Sequence, residues 1–245
     1  MVEQLRDYAD QRLYDGCVYC GGTDDTVDHV PSRVFLDRPF PENLPVVPAC
    51  RPCNNGFSRD EEYVAAVIEC AVAGSTNPDK IRRPRIAKAL ERSTALRTSI
   101  EKGLEERDGI MTLSVDARRV ENVLLKLARG HAVFELSTTL RAEPHHFAWK
   151  PIASMSQHEL EDFDAADVVD LYGEVGSRGM QRLQIVRLDG ESPSGTPESF
   201  GLIVNDWVEV QEGRYRYLAT SFGSGVRIKL IIGDYLACEV IWEGP

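Results

Sequence analysis

The stretches Cys17-Val18-Tyr19-Cys20 and Cys50-Arg51-Pro52-Cys53 decide how this chain is read. Each pair spaces its thiols three positions apart, and 29 residues lie between the pairs. Two such pairs can supply the four thiolates of one tetrahedral zinc ion. Gly21 and Gly22 follow the first pair and let the backbone curl so that its amides face sulfur. A plain zinc ribbon has a gap of roughly 15–20 residues, so the longer gap here must carry an element of its own. The remaining cysteines, Cys70 and Cys238, stand alone and read as buried, reduced thiols. Six cysteines in 245 residues are too sparse for a disulfide scaffold.

Working outward from the cysteines, residues 23–49 contain Pro31, Pro39, Pro41, Pro45 and Pro48 and show no helical period. Proline removes a backbone donor and clashes within a helix, so loops and short strands are expected there. Ser58-Arg59-Asp60-Glu61 has the form of a capping box ahead of the apolar run Tyr63 to Ala73, and Gly74 sits where a C-cap glycine would fall. Val2 to Leu13 reads as a short amphipathic helix. A second helix is expected from Pro84 through Ile86, Leu90, Leu96 and Ile100 toward Leu104. A third follows Ser114, with Val120, Val123, Leu124, Leu127, Val133 and Phe134 at a period near 3.6. From residue 183 the texture becomes β, in short runs from LQIVRL to LACEVIW, the last three forming a meander. The stretch DGESPSGTPES (189–199) reads as a polar loop. These features predict an α+β chain in three parts: residues 1–76, a helical 77–150 and a mainly antiparallel β region, 151–245.

The formal net charge of −11 argues against a general nucleic-acid binder, but the charge is unevenly spread. Residues 1–76 carry −7, residues 77–150 carry +5 and residues 151–245 carry −9. Phosphate contact is local. The densest basic stretch, with Arg82, Arg83, Arg85 and Lys88, is therefore a candidate phosphate track; a solvated helix face is the plainer alternative. No stretch approaches the ~18 apolar residues of a membrane span. The polar start, MVEQLRDYADQR, does not read as a signal peptide, and a cytoplasmic location is expected.

Between the cysteine pairs lie Asp28-His29-Val30-Pro31 and Glu42-Asn43-Leu44, and Asn54 directly follows Cys53. In this order and spacing the elements resemble the HNH endonuclease family in its zinc-knuckle, ββα-metal subgroup, over about residues 14–75. The resemblance implies a β-hairpin and a following helix, with His29 as general base and Asn43 orienting the hairpin loop. It implies a second metal ion, magnesium or manganese, on Asp28 and Asn54. The substrate would be nucleic acid, duplex DNA first, and a role in restriction or defence against foreign DNA follows by the same likeness. The chemistry suits these residue types. A neutral imidazole takes a proton near pH 7, and a hard divalent ion prefers oxygen ligands and acts as a Lewis acid on the leaving side. Neighbours on an extended strand point to opposite sides, so Asp28 and His29 can do different work. The chain departs from the family where Phe57 stands at a position often held by lysine, and where Pro31 follows the histidine one residue early.

Glu61 lies about two helical turns from Asn54 and reads either as a metal ligand or as the cap partner of Ser58. His131 falls on an apolar helix face and reads as a core histidine; His145 and His146 read as surface residues. Trp207, Tyr215 and Tyr217 could stack on bases but suit a β core. The competing reading is a non-catalytic zinc module that binds nucleic acid or protein. A third is an interaction subunit, with the acidic β region contacting a partner or a second copy.

Overall fold

The computed structural model describes residues 4–5, 16–42, 44–107, 110–169, 177–191, 195–223 and 225–243. β1 (Gln4–Leu5) lies parallel to β3 (Leu44–Ala49), and β2 (Thr26–His29) pairs with β3 antiparallel, placing Asp28 opposite Val47 and His29 opposite Val46. The prolines of β3 donate nothing, but their carbonyls are used: Pro45 accepts from Val30 and Pro48 from Val18. Apart from Gln4 and Leu5, which pair as a strand, the helix expected over Val2–Leu13 lies outside the described residues.

From β3 the chain turns at once into α1 (Arg51–Ala73). Cys50 is its N-cap and its sulfur accepts from the Cys53 amide, with proline in the first turn. The helix thus begins seven residues ahead of Ser58, and the expected capping box is not a helix start. Ser58 sits within the helix and its hydroxyl donates to the Asn54 carbonyl. Gly74 does close the helix, at φ 58°. The next expected helix is two, α2 (Pro84–Arg92) and α3 (Thr94–Glu101), because the Ser93 side chain accepts from the Leu96 amide and starts a new helix. A hairpin that the sequence reading missed, β4 (Leu104–Arg107) and β5 (Ile110–Leu113), precedes α4 (Ala117–Leu136).

Beyond α4, β6 (His146–Pro151) joins β10 (Val208–Gln211), β11 (Tyr215–Phe222), β12 (Gly225–Ile232) and β13 (Leu236–Trp242) in an antiparallel sheet of order β10-β11-β12-β13-β6. α5 (Gln157–Asp164), β7 (Asp167–Val168), α6 (Arg178–Arg182), β8 (Gln184–Glu191) and β9 (Pro197–Asn205) lie between β6 and β10 in sequence. β8 and β9 pair from Gln184 to Pro197, so strands cover both ends of the stretch expected as a 189–199 loop. One hydrophobic core joins Leu44, Val67, Leu90, Leu124, Ile228 and Val240. It crosses both expected boundaries, and β6 itself starts inside the segment expected to be helical. Tyr215 and Tyr217 are buried in it, and His131 stacks on Tyr217 at 3.7 Å with Nε2 2.8 Å from the Tyr215 hydroxyl. No helix among the described residues is long and apolar enough to cross a membrane.

Candidate functional site

The turn at Gly16–Gly22 and the N-terminus of α1 bring four sulfurs together. The Sγ atoms of Cys17, Cys20, Cys50 and Cys53 all lie within 4.8 Å of one another, and Cys20 and Cys50 are 3.6 Å apart. Sulfurs about 2.3 Å from a tetrahedral ion would stand roughly 3.8 Å apart, so this cluster can hold a metal ion such as zinc. The Gly22 amide donates to Cys20 at 3.4 Å and holds its thiol down at about 7, while burial raises Cys53. The knuckle packs against Val30, Val47, Val133 and Phe134, so a metal here would tie β2, β3, α1 and the far end of α4 together.

Alternation along β2 buries Asp28 and leaves His29 partly exposed. Burial and the nearby Arg33 guanidinium lower the His29 pKa below its ordinary 6.5, with Asp28 pulling partly the other way. The imidazole is therefore neutral at pH 7. Asp28 Oδ2 accepts from the Tyr19 hydroxyl at 2.8 Å and pairs with Lys126 Nζ at 2.7 Å. Both contacts fall on one carboxylate oxygen. Asn54 stands in the first turn of α1, and its Nδ2 donates to the Val27 carbonyl at 2.9 Å, which ties the helix to β2 beside Asp28. Asn43 lies outside the described residues.

Glu61 is not the cap partner of Ser58, since α1 starts at Cys50 and the Ser58 hydroxyl donates to Asn54. Glu61 Oε1 accepts from Ser32 at 2.6 Å and from Lys126 at 2.8 Å. Lys126 comes from α4 and had no place in the expected site. The available sign was one lysine on the face shared by Val123, Leu127 and Gly130, all buried.

The basic stretch divides. Arg82, Arg85 and Lys88 are exposed, but Arg83 is buried and is corrected from the phosphate track to the interior. Its guanidinium donates to Asp37 Oδ1 at 2.7 Å and to the carbonyls of Val34 and Leu36, so it closes the 34–37 segment onto α2. The two residues that flank this segment, Arg33 and Arg38, are cations that sequence reading missed. Together with Arg82, Arg85, Lys88 and Arg92 they line a cleft of about 910 Å³, which also holds Asp37 and Glu62, the latter paired with Arg92 at 3.0 Å. Arg85 is exposed to solvent on one side but partly desolvated by its neighbours, which lowers its pKa, and the guanidinium groups of Arg83, Arg38 and Arg33 push the same way.

No protein-family model, curated protein or solved structure matches the chain.

Proposed function

We propose that the chain is a zinc-clasped endonuclease of the HNH type that hydrolyses phosphodiester bonds, with duplex DNA as substrate. The observation that carries this reading is the placement of a neutral His29 and a buried Asp28 on one strand, beside Asn54 and next to the cysteine cluster. Cys17, Cys20, Cys50 and Cys53 would hold a structural zinc, which would clamp the hairpin to the start of α1. His29 accepts the proton of the attacking water. Asn54 is oriented by the bond its Nδ2 donates to Val27, which leaves its Oδ1 to offer to a hard cation, and Asp28 is oriented by its two donors on Oδ2, which leaves Oδ1. These two residues would hold magnesium or manganese, which would supply Lewis-acid stabilisation of the phosphoryl and leaving oxygens. Arg33, close enough to act on His29, begins the basic cleft that would carry the phosphate backbone toward the base.

One observation favours the competing reading of a non-catalytic zinc module: Asp28 already has a cation, the ammonium of Lys126. Cleavage of supercoiled plasmid by the zinc-loaded protein separates the two. With magnesium or manganese, nicking or linearisation that is lost with EDTA and in His29→Ala supports the nuclease. Absent cleavage on both duplex and single-stranded substrates, together with salt-sensitive DNA binding, supports the binding module.

A further inference from the structure

Lys126 is fully buried, which a lysine tolerates only when its charge and all three of its protons are satisfied. Here they are. Nζ stands 2.7 Å from Asp28 Oδ2, 2.8 Å from Glu61 Oε1 and 2.6 Å from Ser32 Oγ. The ring closes on itself, because the Ser32 hydroxyl donates to the same Glu61 oxygen at 2.6 Å. The Tyr19 and Phe57 rings stand near the ammonium, at 6.0 and 5.9 Å. Two carboxylates and a hydroxyl around one point are the oxygen set a hard divalent ion would choose, and a side chain anchored in α4 fills that point.

We propose that Lys126 is a resident cation of the candidate site, holding the position between Asp28 and Glu61 that a divalent ion would otherwise occupy. The inference rests on the proposed site for its meaning, but not on cleavage for its test. It assigns Glu61 to the ammonium and not to the metal. It leaves only the free side of Asp28 for a divalent ion, so the native site takes at most one such ion through Asp28. It also makes the hairpin site depend on α4, since a fragment ending with α1 would leave Asp28 and Glu61 facing each other without a counter-charge.

The test is equilibrium Mn²⁺ binding, read by the loss of the free-ion electron paramagnetic resonance signal, on full-length zinc-loaded protein. Lys126→Met keeps the length of the side chain and removes the charge. It should bind Mn²⁺ about tenfold tighter than the wild type or gain one Mn²⁺ per chain, an effect of the size that outer-shell partners of a metal commonly exert. Adding Glu61→Gln to Lys126→Met should abolish the gain. Glu61→Gln alone should change the affinity by less than about twofold, because the carboxylate is not a metal ligand while Lys126 is present. A folded Lys126→Met protein with no gain overturns the proposal. So does a loss of about tenfold in Glu61→Gln alone, and that arm decides the matter should Lys126→Met fail to fold. A protein that binds Mn²⁺ as described but cuts no DNA would refute the nuclease and leave this inference standing.

Discussion

Replacing Lys126 with methionine should destabilise the fold strongly. The ammonium lies 2.7 and 2.8 Å from two carboxylate oxygens and is fully buried. At an effective dielectric of about 20, one such contact is worth about 6 kcal/mol of gross Coulomb energy, most of it offset by the desolvation of the three charges. What survives on removing one partner of a buried pair is about 3–5 kcal/mol, because the charges left behind are uncompensated. In a chain of this length that corresponds to a melting point lower by about 6–20 °C. Thermal unfolding followed by circular dichroism, with zinc kept saturating, measures it. Two controls give the number its meaning. Asp28→Asn and Glu61→Gln added to Lys126→Met remove the stranded charges and should recover part of the loss. Mn²⁺ at a hundred times its dissociation constant should restore about 2.7 kcal/mol to Lys126→Met through binding to the folded state. A Lys126→Met protein that melts within about 3 °C of the wild type would refute the idea that this ammonium holds the two carboxylates.

Three further outcomes follow from the same structure. Zinc affinity should fall on acidification, roughly tenfold per pH unit for each thiol that must release its proton; because Cys53 is raised by burial while Cys20 titrates near 7, competition with a chelator between pH 8 and pH 6 should show the loss. His131 is buried beside Tyr215 and Tyr217, and burial drives its pKa well below 6.5. The unfolded chain therefore binds the extra proton first, and stability should drop as pH falls below about 6.5, by up to about 1.4 kcal/mol per pH unit; urea unfolding at several pH values should show this acid limb, shallower in His131→Gln. Arg83→Ala should cost about 1–3 kcal/mol of stability, since the buried carbonyls of Val34 and Leu36 lose their donor, while Asp37 and Glu69 keep Arg214. Exposed Arg82→Ala should leave the melting point unchanged while weakening DNA binding and lowering its salt dependence by about one counterion; equal effects in both variants would contradict the division between buried and exposed arginines.

Local sequence determined a good deal of this protein. The thiol spacing determined the cysteine cluster, because each CxxC turn is a short-range structure and needs only one fold-back to meet its counterpart. The prolines of 31–48 excluded a helix and left a hairpin, Gly74 ended α1, and the alternating apolar runs after residue 207 became the antiparallel sheet. Local signals also misled. Ser58 to Glu61 has the residues of a capping box, yet Cys50 starts the helix, since its sulfur accepts from the Cys53 backbone amide. The tertiary structure alone decided which charges are free. Arg82 and Arg83 are neighbours of the same type, but only Arg83 points at Asp37 and the carbonyls of 34 and 36. Glu61 and Lys126 are 65 residues apart, and each is ordinary on its own helix. Their pairing with Asp28 arises only when α4 packs on α1 and buries an ammonium that must find oxygen partners there or not be buried at all.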